Sequence, residues 1–593
     1  MRYIGLDIGD GESAATLVMD NGAMTQEVLM LGSNKNIISV VGMQNDRPVV
    51  GNDAMTGMDV VDRSVRFKSR FLIDNDSRDI QRFMDGLCRL MNQTAKHALS
   101  GDSSDIRIAL GHPAGWSDVV CRRYVDIATQ AGFPNVYAVS ESRAAFLYVH
   151  YDRTLLIDLQ KLQKPCLVID IGSSTTDFAY IVDGQENSVG FGQNHLGGGL
   201  IDKLILEDAV ASCCLEDQKK LSDIFAQYPS WYSECELFAR KQKELYFIQE
   251  SSACTEDMVS SMAVYGDINN PIRIGFRLNK EKMDKLLCKP LQELNGNNFI
   301  DGLKESLTQA KNFTLTKVPE LLILTGGASR MPIFQMCCAE AFPNAEIILC
   351  PEPEFSIARG LGIAARIDYQ MDCFRDELKN FFNSDILQKN VIRNIDSLKN
   401  ALIPIISNIV LENGFTPALK LAAQQGIVSQ NEFLKHVAAY IHAYMQDENN
   451  SRPLMLAMQK WISETLADTQ KIIDELSEKY SIDTASLKLS VLPIRLDNLD
   501  LGQIKYPLLF AELLKALEFT QQAFLRNGIV NILQLLLNKL NYNRVQNQIK
   551  QDLMQDSNLA TMLCKYLVDE LRANLSCIVN NTQIPLRQVG LTI

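Results

Sequence analysis

Two kinds of apolar spacing divide the chain. In the first two thirds, short apolar runs end in glycine- or serine-rich turns. Cys166–Ile169 leads into Asp170, then Gly172, Ser173, Ser174, Thr175 and a second acid, Asp177, after which Phe178–Val182 is apolar again. An apolar run bounded by turn residues predicts a buried strand, and two such runs around a tight turn predict a hairpin. Arg2–Ser13, RYIGLDIGDGES, repeats the pattern with Asp7, Gly9 and Gly11, and the apolar Ala14–Met19 follows. From Asp368 onward the spacing changes to three and four: Leu378, Phe381, Phe382; then Phe433, Val437, Tyr440, Ile441, Tyr444; then Phe510, Leu513, Leu514, Leu517. That periodicity predicts helices with one buried face. Loops are predicted at Asp447–Pro453 and Pro493–Tyr506 and a short strand at Leu487–Leu492, with Gly414, Gly426 and Gly502 between helices.

A chain of 593 residues exceeds what one core holds, so at least two domains are expected, 1–367 and 368–593. With 46% hydrophobic and 22% charged residues the composition is that of an ordinary soluble protein. A formal net charge of -13 argues against general nucleic-acid binding, which needs a positive field. Asp7, Asp10 and Glu12 interrupt the first apolar stretch, so no cleavable leader is expected. The longest apolar runs, Leu402–Leu411 and Ile529–Leu537, are broken by polar residues or proline, so no membrane span is expected. The 14 cysteines form no C-x-x-C and read as free thiols of a reducing compartment, which places the protein in the cytoplasm. His436 and His442 share a predicted helix without the i, i+4 spacing of a metal pair.

The turns carry the chemistry. Backbone N–H groups in such a turn face a phosphate, hydroxyls add donors, and carboxylates beside a phosphate require a metal ion between them. Two strand–Asp–x–Gly turns about 160 residues apart suggest two related halves facing one nucleotide. Gly9–Ala14 formally matches the dinucleotide pattern G-x-G-x-x-A, but that motif needs a helix directly after it. Here a strand is predicted, and Asp10 and Glu12 would repel a bare pyrophosphate. There is no G-x-x-x-x-G-K-[ST].

With these turns the chain resembles the actin/Hsp70/sugar-kinase ATPase superfamily, and further segments are similar to Hsp70 proteins. Asn194–Asp202, NHLGGGLID, resembles the segment whose paired glycines, here Gly197 and Gly198, approach the nucleotide. Val139–Tyr148, VSESRAAFLY, resembles the start of the connecting helix and its glutamate, here Glu141. Arg66–Leu72, RFKSRFL, resembles the loop carrying the ATPase lysine, here Lys68. Leu321–Pro332, LLILTGGASRMP, resembles the adenosine segment, with Gly326, Gly327, Ser329 and Arg330, and Ser356–Ala365, SIARGLGIAA, resembles the closing helix. The segments come in family order over about residues 1–368. Asp10 and Gly11 stand where the family places threonines, and Ser142 stands where it places proline after the glutamate. The adenine-clamping helix is not matched cleanly; Lys241 and Lys243 in ARKQKEL are the nearest candidates.

The resemblance implies an α/β, two-lobed ATPase of duplicated ribonuclease-H-like subdomains, followed by a mainly helical domain. It implies ATP or ADP in the cleft, Mg²⁺ between Asp7 and Asp170, Lys68 on the γ-phosphoryl, and Glu141, Thr175 and Asp177 orienting water and the metal shell. The turn residues Gly9, Asp10, Gly11, Gly172, Ser173 and Ser174 would cradle the phosphates. The family's acidic-leucine linker and β-sandwich peptide clamp are not visible after Arg366. The expected function is a slow, Mg²⁺-dependent, ATP-switched chaperone or client-binding protein. Its protein client or dedicated partner would be met by the helical domain. The alternatives are an ATP-dependent filament or scaffold protein and a small-molecule kinase.

Overall fold

The computed structural model describes the chain apart from residues 21–23, 58, 74–75, 152–163, 183–184, 190–194, 252–256, 267–269, 426–429, 466, 481–541, 556–560, 563, 570 and 574–593. The expectations for Leu487–Leu492, Pro493–Tyr506, Phe510–Leu517, Ile529–Leu537, Gly426, Gly502 and Asn194 lie outside the described residues. Those up to Tyr369 form one compact unit and those from Gln370 a second.

Among the four sheets described in the first unit, the two largest have strand paths that run in the same order. In one, Met24–Val28, Glu12–Asp20, Arg2–Ile8, Ile106–His112 and Val136–Ser140 are neighbours in that sequence. In the other the order is Gln185–Ser188, Thr176–Val182, Cys166–Ile171, Leu321–Thr325 and Glu346–Leu349. In each, the first three strands pair antiparallel and the last two join in parallel. The apolar runs of the sequence are the central strands: Ile4, Leu6 and Ile8 seat in one core, and Leu167, Ile169 and Ile171 in another. Parallel neighbours need long crossovers, and helices supply them. Both predicted hairpins form: Asp7 pairs with Ala14 and Asp170 with Asp177, each acid at the penultimate position of its strand. A strand, not a helix, follows Gly11, which removes the dinucleotide motif.

The helix Glu141–Tyr151 follows the last strand of the first sheet, and Pro353–Asn383 follows the last strand of the second. These helices touch at glycine. A Cβ on Gly360 would lie 1.9 Å from the carbonyl oxygen of Ala144, and one on Gly5 would lie 2.0 Å from that of Ala358. Arg143, on the first helix, makes a bidentate ion pair with Asp368 (2.9 and 2.6 Å), and Tyr137 donates to the same carboxylate at 2.9 Å.

The described residues of the second unit are helical: Asp385–Ile409, Thr416–Gln425, Gln430–Met445, Glu448–Thr465, Ala467–Lys479 and Tyr542–Gln555. Leu378, Phe381, Phe382, Val437 and Ile441 are buried as their spacing predicts. Three expectations are corrected. Asp447–Pro453 is not a loop: Asp447 caps the N–H of Asn449 (2.9 Å) and the helix begins at Glu448. Gly414 does not separate helices. It sits in a π-helical turn, Val410–Phe415, that joins two helices without a break. A Cβ there would meet Ile441 at 2.8 Å, so close packing of that helix selects the glycine. Gln388–Leu421 is long and apolar enough to cross a membrane by length and composition, contrary to the reading of its sequence as interrupted. Val391, Leu398, Leu402 and Ile406 are buried in the unit, so this is a core helix.

Candidate functional site

The two hairpin turns, the helix Phe67–Ile73 and the start of Glu141–Tyr151 line one cleft of about 500 Å³ in the first unit. That volume suits a small organic ligand. Asp7, Gly9, Asp10, Gly11, Lys68, Glu141, Asp170, Gly172, Ser173, Ser174, Thr175, Gly198, Lys243, Gly326, Gly327 and Arg330 all face it.

The turns are shaped by their backbones. Gly9 donates its N–H to the Glu12 carbonyl, and Gly172 donates to that of Thr175, each at 3.0 Å. Gly198 and Gly199 donate to the carbonyls of Gly172 (3.0 Å) and Ser173 (2.7 Å), so the diglycine segment braces the second turn from behind. A Cβ on Gly197 would sit 2.4 Å from the Ser173 carbonyl oxygen. Gly326 has φ 81°, a left-handed conformation, and a Cβ there would come within 2.5 Å of an Asp170 carboxylate oxygen. Glycine is needed at both places.

Lys68 is buried, and its ammonium donates to Glu141 Oε1 at 2.6 Å. It lies 5.6 Å from the ring centre of Trp116 and 5.9 Å from that of Tyr124, within cation–π range. Asp10 reaches the helix that carries Lys68: one carboxylate oxygen accepts from the N–H groups of Lys68 (3.0 Å) and Ser69 (3.1 Å), and the other from the Ser69 hydroxyl. Thr175 Oγ1 donates to Asp177 at 2.7 Å.

Asp7, Glu141 and Asp170 line the cleft with Lys68; Asp177 does not line it but interacts electrostatically with Glu141, Asp170 and Lys68. Burial, reinforced by Glu141 and only partly offset by Lys68, pushes Asp7 up to about 7. Burial likewise pushes Asp177 up to about 6, against the Thr175 hydrogen bond. Asp170 is driven well above the ordinary carboxylate range by burial and then by Glu141, Asp177 and Asp7. Burial alone would lower Lys68, but Glu141, Tyr124 and Asp7 hold it above its ordinary value. Crowded carboxylates resist ionising together unless a further cation joins them. No group of three or more His, Cys, Asp or Glu arranged for a metal exists among the described residues. A hard cation that keeps most of its water and takes one or two carboxylates, as Mg²⁺ does, fits such a site. The buried Ser174 hydroxyl, with no protein partner in the second turn, is a spare donor for an anionic ligand.

Some sequence-predicted residues lie elsewhere. Lys241 is exposed and does not line the cleft. Lys243 does, but its ammonium is engaged by Asp202 (2.8 Å) and the Gly198 carbonyl (2.9 Å), so it braces the diglycine. Ser329 is buried and bonds back to the Gly326 carbonyl at 2.7 Å, holding the turn from behind the wall. Gly197 likewise acts through packing. Sequence reasoning missed Glu12, Trp116, Arg240, Glu244, Phe247, Met331, Glu354 and Ile357, which also line the cleft. Arg240, Glu244 and Phe247 share one face of the helix Pro229–Ser251 at spacings of four and three, a pattern readable once the helix is placed. Arg240 pairs with Glu12 at 2.8 Å, and one turn earlier on that helix Glu236 pairs with Arg66. Arg330 pairs with Glu354 at 2.8 Å at the rim.

No family model matches the chain. Chaperone protein dnaK1 of Synechocystis sp. is 23% identical over 260 residues, covering 43% of this chain and 34% of that protein. The chain therefore spans about a third of the length of the curated relative it matches. With two sheets flanking a cleft and a helical region after them, the α/β architecture fits a two-lobed Hsp70-like fold, and in sequence the chain is distantly similar to an Hsp70 chaperone.

Proposed function

We propose that the first unit is an ATP-binding, slow Mg²⁺-dependent ATPase of Hsp70 type, built from duplicated ribonuclease-H-like halves, and that nucleotide state governs capture of a protein partner by the helical unit. The observation that carries this reading is the cleft constellation: Asp7 and Asp170 at equivalent places on two like-ordered sheets, opposite Lys68 paired with Glu141. The likeness to a chaperone supports the client-binding part, and the excess of carboxylates supports the metal.

Asp7 and Asp170 would hold Mg²⁺ largely through water, and the ion, when bound, would neutralise phosphate charge. The chain's own residues do the positioning. N–H and hydroxyl groups at Gly9–Gly11 and Gly172–Thr175 bind phosphate oxygens. Lys68 stabilises charge that develops on the transferred phosphoryl group. Glu141, Thr175 and Asp177 orient the attacking water. Asp177 does so through Thr175, whose hydroxyl it fixes by accepting a hydrogen bond at 2.7 Å. Positioning and electrostatics account for nearly all of the catalysis, so turnover is slow. Phe247, Met331 and Ile357 provide the apolar part of the wall on which a base would pack, near the Arg330 guanidinium. A cytoplasmic location belongs to this reading.

ATP with Mg²⁺ should raise the melting temperature of the full chain, because a ligand bound only by the folded state stabilises it. No shift at millimolar concentrations of both would overturn the nucleotide assignment. An ATP-dependent filament or scaffold is the second reading, since these like-ordered sheets are what an actin-like fold contains. Pelleting that depends on protein concentration and ATP would favour it.

A further inference from the structure

We propose that Asp10 is the positioning residue for Lys68, locking the first phosphate turn to the helix that presents the lysine; this rests on the ATPase reading above. Arg66, directly before the helix Phe67–Ile73, has φ 54°, and its side chain is drawn away to Glu236. It cannot act as a helix cap, which uses an extended backbone and a short acceptor side chain. The open N–H groups of Lys68 and Ser69 are taken instead by Asp10, 58 and 59 residues earlier in the chain. With the Ser69 hydroxyl on its second oxygen, Asp10 accepts three hydrogen bonds from this one helix turn.

This arrangement explains a charge that looks misplaced. A free carboxylate in a phosphate turn repels the ligand. One whose oxygens are filled by N–H and O–H donors is held aside as a structural anion. What it holds is the backbone of Lys68. A lysine has a long, rotamer-rich stem, so its ammonium is only as well placed as its backbone and its cage. The cage is Glu141 at 2.6 Å with the faces of Trp116 and Tyr124. Asp10 supplies the other end, and because it lies between Gly9 and Gly11, phosphate turn and lysine move as one piece.

The test uses the full chain labelled with 5-fluorotryptophan, whose 3 tryptophans should give separate ¹⁹F resonances. Trp116→Phe assigns the resonance beside Lys68. In Asp10→Ala this resonance should shift or broaden while the other two stay, and the same change in a Lys68→Ala background should add little. Asp10→Asn, which keeps an acceptor oxygen, should fall between. In steady-state kinetics Asp10→Ala should lower kcat about 10- to 100-fold, a loss typical of misplacing a catalytic group, with ADP affinity within about 3-fold. The double variant should be no slower than Lys68→Ala, as for groups acting as a unit.

An unmoved Trp116 resonance in Asp10→Ala overturns the proposal. So does a strictly additive loss in the double variant, tighter nucleotide binding with unchanged turnover, which would make Asp10 a simple repeller, or a changed Mg²⁺ requirement alone, which would make it a metal contact. Should Asp10→Ala fail to fold, Asp10→Asn carries both measurements. Wild-type protein without ATPase activity would sink the ATPase reading, whereas the ¹⁹F shift would still decide whether Asp10 holds Lys68.

Discussion

At the residue scale, the cleft is a charge problem that the protein alone leaves unsolved. Asp7, Asp170 and Glu141 line the cleft with Lys68, Asp177 interacts with them electrostatically, and Asp7 and Asp177 are raised to about 7 and about 6. A carboxyl raised above its unfolded value of about 4 contributes stability that is fully present below that value and is lost as pH rises through the folded value. The ligand-free protein should therefore lose stability as pH rises from about 4 to about 7. Mg²⁺ with nucleotide should restore more of it at pH 8 than at pH 5.5. Thermal melts across pH, with and without the pair, test this. Asp7→Asn should raise the ligand-free melting temperature at pH 8 by a few degrees and diminish the Mg²⁺-dependent gain. A ligand-induced shift as large at pH 5.5 as at pH 8 would show that these carboxyls do not hold the cation. Lys68→Ala should reduce turnover far more than ADP affinity, on the order of 100-fold or above, because charge on the transferred group develops only in the transition state. Single-turnover hydrolysis beside calorimetric binding separates the two effects.

At the element scale, the glycines of Pro353–Asn383 bring helices closer than any side chain would permit. Gly360 packs on the Ala144 carbonyl three residues past Glu141 on the same helix. Gly360→Val should lower stability by about 3 kcal/mol or more, since a Cβ 1.9 Å from a backbone oxygen forces the helices apart. Because Glu141 rides on the displaced helix, nucleotide binding should weaken as well. Denaturant titration gives the first quantity and calorimetry the second; a stable Gly360→Val protein would mean the crossing is more compliant than its geometry implies. The surface change Lys220→Ala, an exposed i, i+4 partner of Glu216, is the matched control and should leave the denaturation midpoint essentially unchanged.

At the scale of the whole molecule, the two units differ in kind: strand-rich around the cleft, and helical among the described residues from Gln370. A fragment beginning near Gln370 should give a strongly helical circular dichroism spectrum. Partner recovery by the full chain should change between ATP and ADP and be lost when this region is removed. A β-dominated spectrum, or partners retained by residues 1–367 irrespective of nucleotide, would refute the division of labour proposed above.

Apolar spacing alone determined the central strands, both hairpins and the helical character of the described residues from Gln370, because burial of Ile4, Leu6, Leu167 and Ile169, or of Val437 and Ile441, is a local property of a strand or a helix face. Asp7 and Asp170 were legible through their turns, and Lys68 and Glu141 only through the resemblance to Hsp70 segments. That these four meet was implied by the resemblance and not by spacing, since residues 7, 68, 141 and 170 converge only when the two sheets and their crossover helices pack. The same reason hid Arg240 and Phe247, whose face is defined by what lies opposite it, and made Asp447–Pro453 look like a loop when a single cap starts a helix there. Asp10 is the sharpest case. Its charge looked adverse beside a phosphate, and only tertiary structure decided its use, by laying an uncapped helix end against it.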